Sequence, residues 1–561
     1  MQKPSIVTSP ERSRLMAKVR RSGTSPEQSV RTILNRLRVQ YQTNTRSLPG
    51  RPDMANCHAK WAIFVNGCFW HAHKVCRLGL WKLPKSNRSF WKRKFEQNRA
   101  RDRGRIRELR RLGFSVLVIW QCELDHKDKV ETMILRFVEH ASSRFSSVTE
   151  LTSGAFEEYK YTRDYVSRSI RFPNGRAVTS RLRKRGNGGS PRSAYDFAYL
   201  RQPTCPAMPH QGSEVRVADI FSGCGGLSLG AMEACRALGR RFTSVLALDN
   251  DDRCIAVYKS NFHCKSAYTN NITQILDGKV GSEPTQNERQ FLKRVRNITI
   301  LLAGPPCQGN SDLNNHTRRN DPRNVLYERV ARCVELVRPQ HVLIENVPSV
   351  VHGKEKAVQR SIAALRRLGY SVDSGIVDLA AIGVPQTRKR HVVVASMSKK
   401  LSTTEVAKQS RLAYAHSVRW AIGDLQHERP NGTLTRPTRH TAQNVSRMKL
   451  LHEKGLYDLP NRFRPGCHKN GGHSYKSMYG RLKLDEPAQT ITSGFTSPGQ
   501  GRFIHPTKTR TLTPHEAARL QLFPDYFDFS DVQSRTALSS MIGNAVPMKL
   551  GYAFCLALLS Q

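Results

Sequence analysis

A chain of 561 residues is too long for a single hydrophobic core and divides on length alone into two to four domains; 38% hydrophobic and 24% charged residues exclude a disordered or fibrous protein. Lys and Arg number 91 against 44 Asp and Glu, a formal net charge of +47, and an excess of that size points to a polyanionic partner such as nucleic acid, held less tightly as salt rises. No apolar run approaches the roughly 20 residues that span a bilayer, and the polar start MQKPSIVTSP lacks a secretory apolar stretch, so a cytoplasmic protein with no membrane partner is expected. Thirteen scattered cysteines suit a reducing compartment, where thiols act as metal ligands or nucleophiles.

Residues 1–150 carry 31 Lys and Arg against 12 Asp and Glu, enough for this segment alone to bind a phosphate backbone. LPGRPDM places Asp53 just before the strand AIFVNG, and GCFWHAHKVC follows with Cys68, His71, His73 and Cys76. Cys122 comes after the strand-like SVLVIW. Cys68, His73, Cys76 and Cys122 make a Cys₃His set suited to tetrahedral zinc, and a closed set of four is structural; a buried core thiol is the alternative for Cys122. Taken as an extended segment, HAH sends His73 to zinc and leaves His71 free for proton transfer. An Asp beside a free imidazole can hold Mg²⁺ and activate water, although an ordinary Asp in a Pro-Gly turn explains the same spacing.

From 151 to 213 periodicity fades, and RLRKRGNGGSPRSAYDF reads as a basic linker. From 214 to 561, short apolar runs alternate with helical stretches: VRVADIF, TSVLALD, NITILLAG, HVLIENV and HVVVAS. This predicts a doubly wound α/β domain with a covered parallel sheet. Residues of about 397–505 are irregular and form a small lobe. TPHEAARLQLF returns to helix, and a helical tail follows Pro547.

The first strand runs into SGCGGLSLG, a Gly-rich turn opening a helix, where a ligand can approach the backbone. Asp249 ends the next strand, where a carboxylate can accept from ribose hydroxyls. No GK[ST] follows, which disfavours ATP. LLAGPPCQGNS presents Cys307 on a Pro-stiffened loop, with Glu345 and Asn346 ending the following strand. A nucleophile and an acid are expected there, a structural thiol being the alternative. GVPQTRKRH alternates Arg388 and Arg390, which are expected to face one pocket or to contact phosphates.

Two resemblances sharpen these readings. Residues of about 9–139, through RSRLMAKVR, Glu27, SLPGRPD, GCFWHAH, SFWKRKFEQNRARDR and GFSVLVIWQC, resemble the very-short-patch-repair (Vsr) endonucleases. The resemblance implies a restriction-endonuclease-like α/β domain with structural zinc on the four ligands above. It implies Mg²⁺ on Asp53 and the backbone carbonyl of Val65, His71 as general base, and Glu27 supporting from the first helix. Phe69, Trp70 and Trp91 would form a wedge entering DNA beside a T:G mismatch, which unstacks more cheaply than a Watson–Crick pair. Asn66 departs from the His or Asp of some members.

The ordered set SGCGG, PPCQG, ENV, QTRKR, TPHEAARLQLFP and IGNAVP, over about 214–561, resembles the DNA cytosine-5 methyltransferases. This implies a Rossmann-like domain whose target-recognition lobe is the irregular 397–505 stretch. S-adenosylmethionine would lie over Phe221, Gly223, Gly225 and Gly226, with Asp249 on the ribose and Asn271 near the adenine. Asn250 stands where a larger residue often packs on that ring, and Asn544 helps rebuild the junction with the recognition lobe. Cys307 would attack C6 of a flipped cytosine while Glu345 holds N3 and Arg390, with Arg388, stabilises the adduct. Asn310 replaces a frequent Phe, and NNIT carries Asn where Asp is frequent.

Together these imply a monomeric bifunctional enzyme of double-stranded DNA, cytoplasmic and nucleoid-associated in a prokaryote. It would methylate cytosine and nick the T:G mismatches that deamination of 5-methylcytosine leaves. The alternatives are a restriction-modification fusion that cuts unmethylated DNA and a catalytically inactive DNA-binding regulator.

Overall fold

A computed structural model describes residues 23–560 except 38, 40, 46, 58–59, 74, 77–82, 85–86, 144–146, 152, 162–163, 186–189, 307–325, 353–355 and 470–476. The chain forms two compact units, Met1–Phe145 and Ser146–Gln561.

In the first unit, strands β1 (Gln42–Thr43), β2 (Met54–Asn56), β3 (Trp61–Asn66) and β4 (Ser115–Trp120) pair in that order. β1, β2 and β3 are antiparallel, whereas β3 and β4 are parallel. A parallel pair needs a long crossover, and the helix Arg88–Arg111 lies in that connection. Only Phe95, Asn98 and Leu109 of this 24-residue helix are buried, so its run of Arg and Lys is a solvated basic face. The helix Ser25–Arg36 begins where the Thr24 side chain accepts from the Glu27 N–H, and Val30, Ile33 and Leu34 give it one buried face.

The second unit is built on a seven-stranded sheet, in the order β11 (Ser266–Thr269), β10 (Arg241–Asp249), β9 (Glu214–Ile220), β12 (Ile300–Ala303), β13 (His341–Asn346), β16 (Lys389–Ser396), β14 (Ser371–Asp378). Helices cover both faces, as expected of a doubly wound α/β domain, and each face has its own core: Leu229, Ala231 and Phe554 lie on one, Ile272, Phe291 and Val330 on the other. The sheet is not wholly parallel, because β16 runs against both β13 and β14. Strand order reverses between β9 and β12, so the loops leaving their C-terminal ends diverge around a crevice where α/β proteins bind ligands. Residues Arg535–Leu559 are long and apolar enough to cross a membrane, contrary to the sequence reading. They form two helices, Arg535–Asn544 and Met548–Leu559, and are almost wholly buried inside the domain.

The segment expected to be a basic linker is instead folded. β5 (Ser147–Glu150), β6 (Phe156–Tyr161), β7 (Tyr165–Arg171) and β8 (Ala177–Arg183) form an antiparallel meander, followed by the helix Pro191–Leu200. Its inner face buries Tyr159, Val166, Ile170 and Leu182 together with Glu157 and Arg168. Arg168 Nη1 donates to Glu233 at 2.8 Å, Tyr552 donates to Glu157, and Lys549 Nζ lies 2.6 Å from Asp196. Buried charges interrupt the apolar alternation that marks a strand, so these residues carry no strand pattern in the sequence. A fragment of residues 214–561 would strip Glu233 of Arg168, Tyr552 of Glu157 and Lys549 of Asp196. Breaking a buried pair costs about 3–5 kcal/mol. That fragment is expected to show no cooperative thermal transition, whereas residues 146–561 melt cooperatively by circular dichroism.

Candidate functional site

In the first unit, Asp53 precedes β2 and its Oδ2 accepts from the Val65 N–H on β3 at 2.7 Å. Burial pushes the Asp53 carboxyl up to about 6, against the lowering effect of the Val65 N–H; the Glu27 charge raises it further and His71 lowers it. Glu27, Asp53 and His71 therefore lie within electrostatic reach of one another. Glu27 is buried near the helix start, accepting from Gly23 N at 2.8 Å and from Thr24 Oγ1 at 2.9 Å. His71 Nδ1 lies 2.6 Å from Asp102 Oδ2. With Nδ1–H donating to that carboxylate, Nε2 is left as a base. Sequence reasoning missed Asp102; the one signal was a lone acid in the Arg-rich run RARDRGR.

The two histidines part company for a different reason from the one expected. Residues i and i+2 of an extended segment share a face, but residues 68–72 form turns, with His71 N donating to Gly67 O and His73 N to Cys68 O. His73 turns to the thiols: its Nδ1 is 3.6 Å from Cys68 Sγ and 3.4 Å from Cys122 Sγ. The ligand atoms of Cys68, His73, Cys76 and Cys122 all lie within 4.8 Å of one another, which fits a four-coordinate zinc. The His73 ring stacks on Trp120 with centroids 4.1 Å apart. Phe69, Trp70 and Trp91 cluster edge to face, with Phe69 centroids 5.1 Å from Trp70 and 5.5 Å from Trp91. All three are half-buried, above the buried Phe95.

In the second unit, the turn after β9 is strained: φ is +56° at Phe221, +52° at Gly223 and +95° at Gly225. A non-Gly residue rarely adopts such a backbone, and its occurrence at a sheet crevice marks a functional turn. At Gly223 a Cβ would meet nothing within 4 Å, whereas at Gly226 it would sit 2.1 Å from Val546 O. The IGNAVP turn therefore abuts the Gly-rich turn, although some 320 residues separate them. Asp249 ends β10 and accepts from Gly223 N at 2.8 Å and Asp251 N at 3.1 Å; burial pushes its carboxyl up, against the N–H groups of Asp251 and Gly223. Asn250 follows it, and Asn271 Oδ1 caps the next short helix by accepting from Thr273 N at 3.1 Å. Asn544 is exposed at its helix end, donating to Ser540 Oγ at 3.4 Å. Beneath the turn, Asp219 was missed by sequence reasoning; burial pushes it up to about 7, and its Oδ2 accepts from Ser228 Oγ at 2.6 Å.

Glu345, at the end of β13, forms an ion pair with Arg390, whose Nε is 2.5 Å from Glu345 Oε1. A Cβ on Gly304, after β12, would lie 3.7 Å from Phe221 O and 3.9 Å from Glu345 Oε2. Asn346 Nδ2 donates to Pro305 O at 3.3 Å. The Gly-rich turn, the start of the Pro-Pro loop and the Glu345–Arg390 pair thus meet at the reversal of strand order. Cys307 and Asn310 lie outside the described residues, one and four positions beyond Pro306. Arg388 does not repeat the geometry of Arg390. It falls between β15 (Gln386–Thr387), which pairs with β17 (Ala488–Gln489), and β16, so the strand alternation breaks at it. Its buried Nη1 donates to the carbonyls of Ile491 at 3.1 Å and Gly543 at 3.4 Å, joining the 488–493 segment to the late helix.

Residues 442–504 carry a small core of Met448, Leu451, Leu459, Tyr479 and Ile504. Where the irregular region meets the α/β core, His515 bridges Glu428 Oε1 at 2.6 Å and Asp525 Oδ1 at 3.0 Å. Burial opposes its charge, but hydrogen bonds to Asp525 and Glu428 outweigh it and push His515 up to about 9. A raised His pKa gives stability that is complete below the unfolded value near 6.5 and is lost as pH rises through about 9. His515→Gln is therefore expected to flatten the fall in melting temperature that the wild type shows between pH 6.5 and 9.5.

The family model of the C-5 cytosine-specific DNA methylases matches residues 215–559. The chain belongs to that family. This cytosine-5 methylase also carries a match to the DNA mismatch endonuclease Vsr model over residues 5–77, so both resemblances read from the sequence hold and the chain is a fusion of the two. It is 42% identical over 362 residues to the type II methyltransferase M1.BsuMI of Bacillus subtilis, covering 64% of this chain and 84% of that one. It is 31% identical over 349 residues to the type II methylase M.HgiDII of Herpetosiphon aurantiacus, covering 60% and 92%. The type II nicking enzyme V.XorIIP of Xanthomonas oryzae is 40% identical over 132 residues, 23% of this chain and 95% of the relative.

Proposed function

We propose that the protein methylates C5 of cytosine in a specific sequence of double-stranded DNA with S-adenosylmethionine, and that its first unit nicks DNA at T:G mismatches. The observation that carries the methylation reading is the convergence of the strained Gly-rich turn, the Pro-Pro loop and the Glu345–Arg390 pair at one crevice. The open space at Gly223, the helix start at Gly226 and the Asp249 carboxylate fit a nucleoside-bearing cofactor, with Phe221, Asn250, Asn271 and Asn544 around it. Bound there, S-adenosylmethionine supplies an electrophilic methyl group. Cytosine C5 is a poor nucleophile until addition at C6 localises electron density there. The Cys307 thiolate makes that addition to a base flipped from the stack. Glu345 holds N3, with Arg390 fixing its carboxylate, and Arg388 braces the floor of the site through its carbonyl contacts. After methyl transfer the C5 proton leaves to solvent, and the C6–S bond breaks to restore the cysteine.

In the first unit, the Asp53 carboxylate and the Val65 carbonyl are hard oxygen donors suited to Mg²⁺, which would polarise the scissile phosphate. His71, oriented by Asp102, takes the proton of the attacking water, and Glu27 tunes Asp53. The zinc ligands hold the loop that presents His71, and the half-buried Phe69, Trp70 and Trp91 enter the stack at the mismatch. A restriction-endonuclease-like fold would be consistent with this mixed α/β unit. Incubating the protein with unmodified plasmid and labelled S-adenosylmethionine tests the methylation reading. Label recovered as 5-methylcytosine is expected, and unlabelled DNA at saturating enzyme overturns it.

A further inference from the structure

Residues 146–213 lie in neither matched family region, yet they form a four-stranded sheet with one face buried against the methylase core. Register fixes what the other face carries. Phe156 stands opposite Arg171, Glu158 opposite Ser169, and Lys160 opposite Ser167. Across the next pair, Tyr165 faces Arg183, Ser167 faces Arg181, and Ser169 faces Thr179. Phe156 and Tyr165 are 41% and 49% exposed, and Lys160, Arg171, Arg181 and Arg183 are exposed as well. Residues 160–185 contain nine Lys and Arg and one Asp.

We propose that this outer face is a second DNA-contacting surface that grips the phosphate backbone of duplex DNA away from the target cytosine. Two carboxylates lie on the face: Glu158 is taken up by Lys160 at 3.0 Å and Arg171 at 3.2 Å, and Glu150 is exposed at its edge opposite Phe156, so the cations still outnumber the acids. Arg181 and Arg183 have no acidic partner among the described residues. They alternate on one strand, about 7 Å apart on the same face, and Ser167, Ser169 and Thr179 add small hydroxyl donors between the cations. Phosphate oxygens are bound by this mixture of Arg, Lys and Ser/Thr, whereas a protein partner would be met by a more apolar patch centre with fewer charges.

The position separates this surface from the catalytic crevice. A Cβ on Gly239, past the C-terminal end of the helix Gly226–Leu238, would sit 2.9 Å from Val178 of β8. The cofactor turn is at the other end of that helix, about 20 Å away. DNA on the sheet is therefore a different stretch from the one whose base is flipped. The contact is with the backbone and reads no sequence, so it raises affinity and residence on long DNA without changing the methylated motif.

The inference rests on DNA being the substrate, and its test keeps the two apart. Full-length protein and the Arg171→Ala/Arg181→Ala/Arg183→Ala variant are titrated onto a 40-base-pair duplex lacking the methylated motif over a range of KCl. Each lost phosphate contact lowers the slope of log affinity against log salt by about 0.9. A variant slope shallower by about 2 to 3 is expected, with methylation at saturating target duplex equal to wild type. An unchanged slope and affinity overturn the proposal. Failure of the wild type to methylate counts against the functional reading, while the slope comparison still decides this one.

Discussion

Cys307→Ala is expected to lower methyl incorporation into DNA by about 10⁴-fold or more, while nicking of T:G duplexes proceeds at the wild-type rate. The loss is that large because none of the described residues at the crevice replaces the thiolate: Glu345 is an acid paired with Arg390, Asn346 is spent on Pro305 O, and burial pushes the Cys224 thiol of the Gly-rich turn up to about 12. Removing the thiol leaves the Gly-rich turn, the Asp249 contacts and the small core of residues 442–504 in place. Target-duplex affinity therefore stays within a few-fold of wild type while turnover disappears. Tritium incorporation into plasmid reads the first quantity and a binding titration the second. A variant that retains a tenth of wild-type methylation would remove Cys307 from the reaction.

Asp53→Asn is expected to do the opposite, cutting nicking by about a thousandfold or more with methylation unchanged, since every residue assigned to methylation lies in the second unit. The amide can still accept from the Val65 N–H, so the turn before β2 keeps its shape while the charge is lost. The same substitution is expected to stabilise the first unit. Burial, with the neighbouring Glu27 charge, holds the Asp53 carboxyl up at about 6 against the pull of the Val65 N–H. Between its unfolded value near 3.8 and about 6 the native state binds more protons than the unfolded one, so stability falls as pH rises through that window. The neutral amide escapes this cost, a gain on the order of 1–3 kcal/mol at pH 7 in metal-free buffer and none below pH 3.8. Nicking assays and pH-dependent melts of wild type and variant check the two halves, and a variant less stable than wild type at pH 7 contradicts the second.

How legible each part was in the sequence follows from where its residues lie. β9, β12 and β13 are buried on both faces and read as continuous apolar runs. β11 and β14 are edge strands with half-exposed residues, and nothing in their sequences marked them. The β5–β8 sheet was hidden because Glu157 and Arg168 occupy inward positions and pair with residues from helices that come later in the chain. The Gly-rich turn and the acid Glu345 were legible because each is marked within a short local run, SGCGG and LIENV. Arg388 was misread because the chain changes sheets at that residue, and Asp102 was missed because its partner, His71, lies 31 residues away. The zinc set was legible from residue type, and turns rather than strand alternation separate its one histidine, His73, from His71.

In the proposed function one chain makes a mark and acts on its decay product. The most direct test reads the methylated motif by bisulfite sequencing of plasmid treated with the wild-type protein, then offers the same preparation, with Mg²⁺, duplexes carrying thymine opposite guanine at the methylated position. A single nick beside that thymine is expected, absent from the matched C:G duplex and much slower when the mismatch sits in a scrambled motif. Cleavage of the matched, unmethylated motif with no preference for the mismatch would contradict the proposed function.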